Sequence, residues 1–241
     1  MKIYKGFIIG VMVAILTVGC QTQSPETTKT ETKLVKETLT KDVRDAMTPD
    51  DIVKSFIEGN QRFMNNNLTP RDFAAQAAAT AGGQHPKAVI LSCIDSRVPV
   101  EYIFDKGIGD IFVARVAGNV EDEDILGSLE YAAAVAGSKV VMVLGHESCG
   151  AVKSAIKRFD AGSPNVDHLL GQIQPAVDKV DAERNVDDKN YVKLVIEENV
   201  HMTVENIRER SAILKSLEDA GKIKIVGAYY NLGTGKVDML K

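Results

Sequence analysis

The stretch ILSCIDSRVP, residues 90–99, sets a thiol, a carboxylate, a hydroxyl and a guanidinium directly behind an apolar run. A second stretch, GHESCGAV at 145–152, ends another apolar run with an imidazole and a thiol. Two thiolates, Cys93 and Cys149, with the imidazole of His146 and one further position suit zinc. That metal takes four tetrahedral soft or borderline ligands and keeps one position open where it does chemistry. Asp95 and Arg97, just past Cys93, are groups of the kind that hydrogen-bond around a metal. The competing reading is a disulfide, which cysteine count alone favours in an exported chain. A stapling disulfide needs neither a histidine three residues before one thiol nor an Asp and an Arg beyond the other, so these neighbours favour a metal.

The elements around these residues form an alternating series. β-rich runs at 87–93, 110–116, 139–145 and 222–230 are separated by helical stretches such as 124–137 and 199–221. Near-continuous apolar strands alternating with helices predict an α/β fold with a mainly parallel central sheet, flanked by helices on both faces. Cys93 then ends one strand and His146 follows another, which puts both at the carboxyl rim of the sheet, where such folds bind ligands. NLGTGKVDML, residues 231–240, reads as a turn into an antiparallel C-terminal edge strand, its glycines serving the turn rather than a phosphate.

The amino terminus reads differently. Lys2 and Lys5 precede an uncharged stretch from Gly6 to Gly19 that is short for a membrane span, so residues 1–19 are expected to be an export signal. LTVGC at 16–20 resembles the lipobox of bacterial lipoproteins, which makes Cys20 the lipid-bearing first residue of the mature chain and places it outside the cytoplasm, anchored at a membrane. Residues 20–46, rich in Thr, Lys and Glu, are expected to be a flexible tether whose second half can become a helix on docking. Thr48, Pro49, Asp50 and Asp51 spell a helix start for the domain at 47–241, with Ile52, Phe56, Ile57 and Phe63 as its apolar face. With 44% hydrophobic residues and 29 basic against 33 acidic side chains, the domain has a sizeable core and no basic excess to attract nucleic acid.

Taken in order, CIDSR (93–97), RVAGN (115–119), GSLEYA (127–132) and GHESCGAV resemble the β-class carbonic anhydrases. EGNQRF (58–63), NVHMTVENIRERS (199–211) and VGAYYNLGTGKV (226–237) resemble the flanking parts of that family, so the likeness covers roughly residues 48–240. The resemblance implies one Zn2+ per chain on Cys93, His146 and Cys149, and reversible hydration of carbon dioxide to bicarbonate by a metal-bound hydroxide. It implies that Asp95 and Arg97 form a salt bridge that keeps the carboxylate off the metal. It also places Gln84, Phe112 and Tyr131 in the substrate pocket, and a homodimer or homotetramer with sites at the interface. Some relatives hydrolyse carbon disulfide or carbonyl sulfide on the same fold. A non-catalytic zinc-binding lipoprotein is the alternative from another class, and intact Asp95, Arg97 and Gln84 argue against it.

Two thiolates neutralise the metal's charge, so hydration is expected to rise toward alkaline pH. In relatives with a non-catalytic bicarbonate site, Trp commonly lies three residues before the first zinc Cys and Gly just before it. Ile90 and Ser92 stand there and the chain has no Trp, so simple saturation without a bicarbonate-gated switch is expected. Arg115 could face a ligand or an interface. His85, His168 and His201 lack a partner at ligand spacing, and EDED at 121–124 reads as a solvated turn before a helix.

Overall fold

Helix and strand alternate in chain order, as the spacing of the apolar runs requires. The computed structural model describes residues 33–180 and 184–241. The export signal, Cys20 and the first part of the tether lie outside these residues. Three helices open the series: α1 (Lys41–Ala46), α2 (Pro49–Met64) and α3 (Phe73–Thr80). Then come β1 (Ala88–Ser92), α4 (Val100–Ile103), β2 (Ile111–Arg115), α5 (Glu123–Glu130) and β3 (Val140–His146). The chain closes with α6 (Gly150–Lys157), α7 (Pro164–Lys179), α8 (Lys189–Arg210), α9 (Ala212–Asp219), β4 (Lys224–Tyr230) and β5 (Val237–Met239).

The sheet runs in the order β2-β1-β3-β4-β5. The first four strands pair in parallel and β5 adds antiparallel to β4, as expected from the 231–240 turn. Every residue of β1 and β3 is buried, because helices cover both faces. Alternation sends Val89, Leu91, Val141 and Val143 to a core shared with Leu129, Val200, Val204, Ile207 and Leu214 of α5, α8 and α9. Ile90, Met142 and Leu144 face the other way, onto Ile52 and Phe56 of α2 and Ile103 of α4. Gly145 lets α8 sit close against β3: a Cβ there would stand 2.6 Å from Val200 Cγ2.

Local signals set the helix starts. Thr48 and Asp51 form a capping box, each side chain accepting from the other's backbone N–H, with Pro49 at the first helical position. Of the apolar face expected for α2, Ile52 and Phe56 are fully buried, whereas Ile57 is 43% exposed. The helix expected at 124–137 widens into a π turn over Tyr131–Val135. The one expected at 199–221 starts earlier, at Lys189, and breaks at Ser211, whose hydroxyl accepts from Leu214 N–H and donates to Glu130.

The domain also begins earlier than composition suggests. Lys33–Lys241 form one compact unit, so the boundary expected at residues 46–47 moves toward the amino terminus. Val35 pairs with Arg71, and Gln76 Nε2 donates to the Glu37 carbonyl at 3.1 Å while its Oε1 accepts from Ile108 N–H at 3.2 Å. In α1, Arg44 is 5% exposed and donates to the Ala136 carbonyl. Lys139 Nζ donates to the carbonyls of Asp45 and Met47 at 2.6 and 2.7 Å. This segment docks through polar contacts across the amino ends of β2 and β3, so a search for apolar residues does not find it.

Candidate metal centre

Parallel register brings the expected ligands together. Ser92 pairs with Leu144, so Cys93, one residue past β1, stands level with Gly145 and beside His146 at the end of β3. The chain then turns through Ser148, at φ 56°, and presents Cys149 as the residue that starts α6. The two Sγ atoms and an imidazole nitrogen lie within 4.8 Å of one another. All three residues are buried, Cys93 to 4% exposure and the other two completely. Both thiols are free, which removes the disulfide reading for Cys93 and Cys149.

The protonation of the cluster follows from these contacts. The hydrogen bond from Cys149, with another from the Gly118 N–H, holds Cys93 well below the usual thiol range despite its burial. The same contact, together with desolvation, pushes Cys149 up. The pair therefore shares one negative charge, a state that a dication stabilises further by releasing the second proton. The imidazole is oriented by its other nitrogen: His146 Nδ1 lies 2.9 Å from the Glu147 carbonyl, which can only accept. Nε2 is then the lone-pair nitrogen, and among the described residues it is buried without a protein partner. An orphaned buried acceptor beside two thiols is the donor set zinc requires.

Asp95 borders this cluster and is held away from it. Arg97 grips both carboxylate oxygens, Nε to Oδ1 at 2.9 Å and Nη2 to Oδ2 at 2.7 Å, and its own backbone N–H donates to Oδ1 at 2.9 Å. This bidentate grip holds Asp95 far below the ordinary carboxylate range. Asp95 Oδ2 stands 3.9 Å from His146 Nε2.

Arg115, whose role the sequence left open, has a definite one. Its Nε donates to the Cys93 carbonyl at 2.8 Å and its Nη2 to the Asp95 carbonyl at 2.6 Å, so β2 clamps the loop that carries both residues. Glu121, expected in a solvated turn, is instead 4% exposed and paired with Arg210. Asp122 caps α5 by accepting from Ile125 N–H at 2.8 Å.

The expected substrate residues are not gathered at the cluster within one chain. Gln84 is exposed on the segment before β1, at the end of that strand opposite Cys93. Phe112 and Tyr131 do share a cleft of about 460 Å³ along the open edge of β2, but none of the three cluster residues lines it. Phe112 pairs with Val89, four residues ahead of Cys93, a separation of roughly 13 Å along the strand. The sequence pattern matched these positions, and the strand direction separates them.

A parallel sheet with an antiparallel edge, carrying a Cys-His-Cys cluster at its carboxyl rim, defines a zinc-type α/β metalloprotein. Residues 88–237 match the family model described as carbonic anhydrase. Carbonic anhydrase 2 of Mycobacterium tuberculosis is 38% identical over 184 residues, spanning 76% of this chain and 88% of that protein. Among solved structures, the Coccomyxa β-carbonic anhydrase in complex with acetazolamide superposes with a TM-score of 0.62 at 23% identity, covering 79% of this chain and 82% of that one. A tetrameric β-carbonic anhydrase of Sordaria macrospora superposes with a TM-score of 0.59 at 23% identity, over 69% of this chain and 90% of that one. The chain belongs to the carbonic anhydrase family and has the β-class fold.

Proposed function

We propose that this chain is a zinc-dependent carbonic anhydrase that reversibly hydrates carbon dioxide to bicarbonate and a proton, with Cys93, His146 and Cys149 as zinc ligands. One observation carries the assignment: a buried pair of thiols beside a His146 Nε2 that has no protein partner. Zinc bound there supplies the Lewis acidity that makes a nucleophile of water near neutral pH, an effect for which carbonic anhydrases are themselves the standard example. The chain's own groups arrange the rest. The Glu147 carbonyl fixes the His146 tautomer, Arg115 fixes the loop, and Arg97 keeps the Asp95 carboxylate engaged and off the three residues that would hold the metal.

Stopped-flow hydration of carbon dioxide by fragment 21–241, loaded with zinc, tests this against Cys93→Ser. The expected result is fast hydration in the parent and a loss of at least about a thousandfold in the variant, together with its zinc. A zinc-loaded parent that does not hydrate would redirect the site to carbon disulfide or carbonyl sulfide.

Assembly and location extend the proposal. Among the described residues, strand β2 has a neighbour on one side only, and beside it Tyr131 and Val135 are 58% and 70% exposed, which favours a homodimer or homotetramer built on this edge. In such an assembly Gln84, Phe112 and Tyr131 contribute to substrate binding across an interface. Residues 1–19 direct export and Cys20 carries lipid, tethering the enzyme at a bacterial membrane outside the cytoplasm; the pattern at 16–20 supports this. Membrane fractionation checks it: Cys20→Ser should move the protein to the soluble fraction, and unchanged partition would refute the lipid anchor.

A further inference from the structure

We propose that Asn199, on α8, is a positioning residue for the metal centre: it holds the turn after β2 so that the Gly118 N–H points at Cys93 Sγ. The inference rests on the zinc-site assignment above and concerns a residue remote from the cluster in sequence. Asn199 is 3% exposed, and its Nδ2 donates to the Gly118 carbonyl at 2.8 Å. The Gly118 N–H in turn donates to Cys93 Sγ at 3.4 Å. Gly118 is thus fixed at both ends, its N–H by the sulfur and its carbonyl by the amide, and the two contacts together set the backbone of the turn.

That turn does not hold itself. Gly118 sits at φ 75° and Asn119 at φ 46°, two successive residues in the left-handed region. Only glycine fits at 118 on a second count, since a Cβ there would stand 2.5 Å from Ile173 Cδ1. A non-glycine residue in this region carries a conformational cost that its surroundings must offset. The buried amide of Asn199 is the side-chain contact that does so on the carbonyl side.

The next residue of α8 serves the other strand. Val200 packs on Gly145, immediately before His146. Adjacent positions of one helix therefore place both metal-bearing strand ends, Asn199 through Gly118 to Cys93 and Val200 through Gly145 to His146. A hydrogen bond to a thiolate draws charge off the sulfur and makes it a weaker donor. In a centre with two thiolates, that bond offsets part of the neutralisation they impose on the metal, and Asn199 is what keeps it aligned.

The test uses the full chain with cobalt(II) in place of zinc, reading the sulfur-to-cobalt charge-transfer band, with carbon dioxide hydration measured on the zinc form. Asn199→Leu should move the band to lower energy and lower kcat about tenfold with KM for carbon dioxide unchanged. Val204→Ala, on the same helix but away from the turn, is the reference for lost stability alone and should leave the band in place. If Asn199→Leu does not fold, Asn199→Ala, whose vacated space admits water, should give a smaller shift in the same direction. A band that stays put in the folded Asn199 variant would overturn the positioning role. A parent chain with no thiolate-to-cobalt band would instead overturn the metal-site assignment, so the two failures are distinct.

Discussion

The two ends of the sheet are built on opposite principles. At the amino end, charged and polar side chains close the structure. Arg44 donates to the Ala136 carbonyl, Lys139 to those of Asp45 and Met47, and Ser138 Oγ to that of Pro86 at 2.9 Å. At the carboxyl end, the candidate ligand nitrogen is kept free of a protein partner. His146 Nε2 is buried without a partner, and the Asp95 carboxylate that could reach it is held by Arg97. Buried polar groups are normally paired, and leaving one unpaired costs about 1–3 kcal/mol. The saturated end lets the fold carry that cost where chemistry needs open ligands.

Breaking the carboxyl end should give the largest effect on activity. Arg97→Ala frees Asp95 to swing toward the cluster, and carbon dioxide hydration should fall about 10- to 100-fold while zinc content by elemental analysis stays near one per chain. Stability should change little, because the Arg97 side chain is 54% exposed. The sign of the pH effect follows from the depressed Asp95 pKa. The ion pair is fully present above the ordinary carboxylate value and is lost only as pH falls through the lowered one. Between pH 5 and 9 the pair itself should therefore add no pH dependence to the rate, and a hydration profile that tracks loss of this pair in that range would contradict the geometry.

Breaking the amino end should do the reverse. Arg44→Ala removes a buried guanidinium and leaves the Ala136 carbonyl without this donor, so urea unfolding should show a loss of about 1–3 kcal/mol. The hydration rate per bound zinc should be unchanged. A variant that kept full stability would mean that the docked segment adds nothing to the fold.

Lys106 sharpens the contrast with a smaller effect. It lies on the approach to β2, 7% exposed, its amine donating to the Ser55 carbonyl at 2.9 Å and standing 5.3 Å over the Phe56 ring. Burial, helped by the charges of Lys87 and Arg62 against those of Asp110 and Asp105, lowers it to about 7. The unfolded chain binds this proton up to its ordinary value near 10.5, so stability from this group rises with pH between the two values. Lys106→Met should be more stable than the parent by about 1–2 kcal/mol at pH 6. The advantage should shrink toward pH 9, and an advantage independent of pH would show that Lys106 holds its proton in the folded chain as firmly as in the unfolded one.

The readable parts of the chain are those written within a few residues. Thr48-Pro49-Asp50-Asp51 specifies the start of α2, and the apolar runs ending at Cys93 and His146 specify strands whose ends must meet once the sheet is parallel. The docked segment from Lys33 was not readable as domain, since it buries little apolar surface and attaches through Arg44, Gln76 and Lys139. Glu121 was misread because its partner, Arg210, lies on a helix far along the chain. Arg115 and Asn199 gave no local sign of their roles, since each acts on backbone carbonyls that only the folded chain brings near.

By itself, then, the sequence determined the ligand chemistry, the order of strands and helices, and the antiparallel finish. These follow from residue type, from period and from capping, all of which act over short stretches of chain. Tertiary structure alone decided that Gln84 lies at the far end of β1 from Cys93, that Phe112 and Tyr131 share an edge cleft away from the cluster, and that α8 indexes both ligand-bearing strands. Strand direction and register fix those distances, and they are properties of the assembled sheet rather than of any one of its segments.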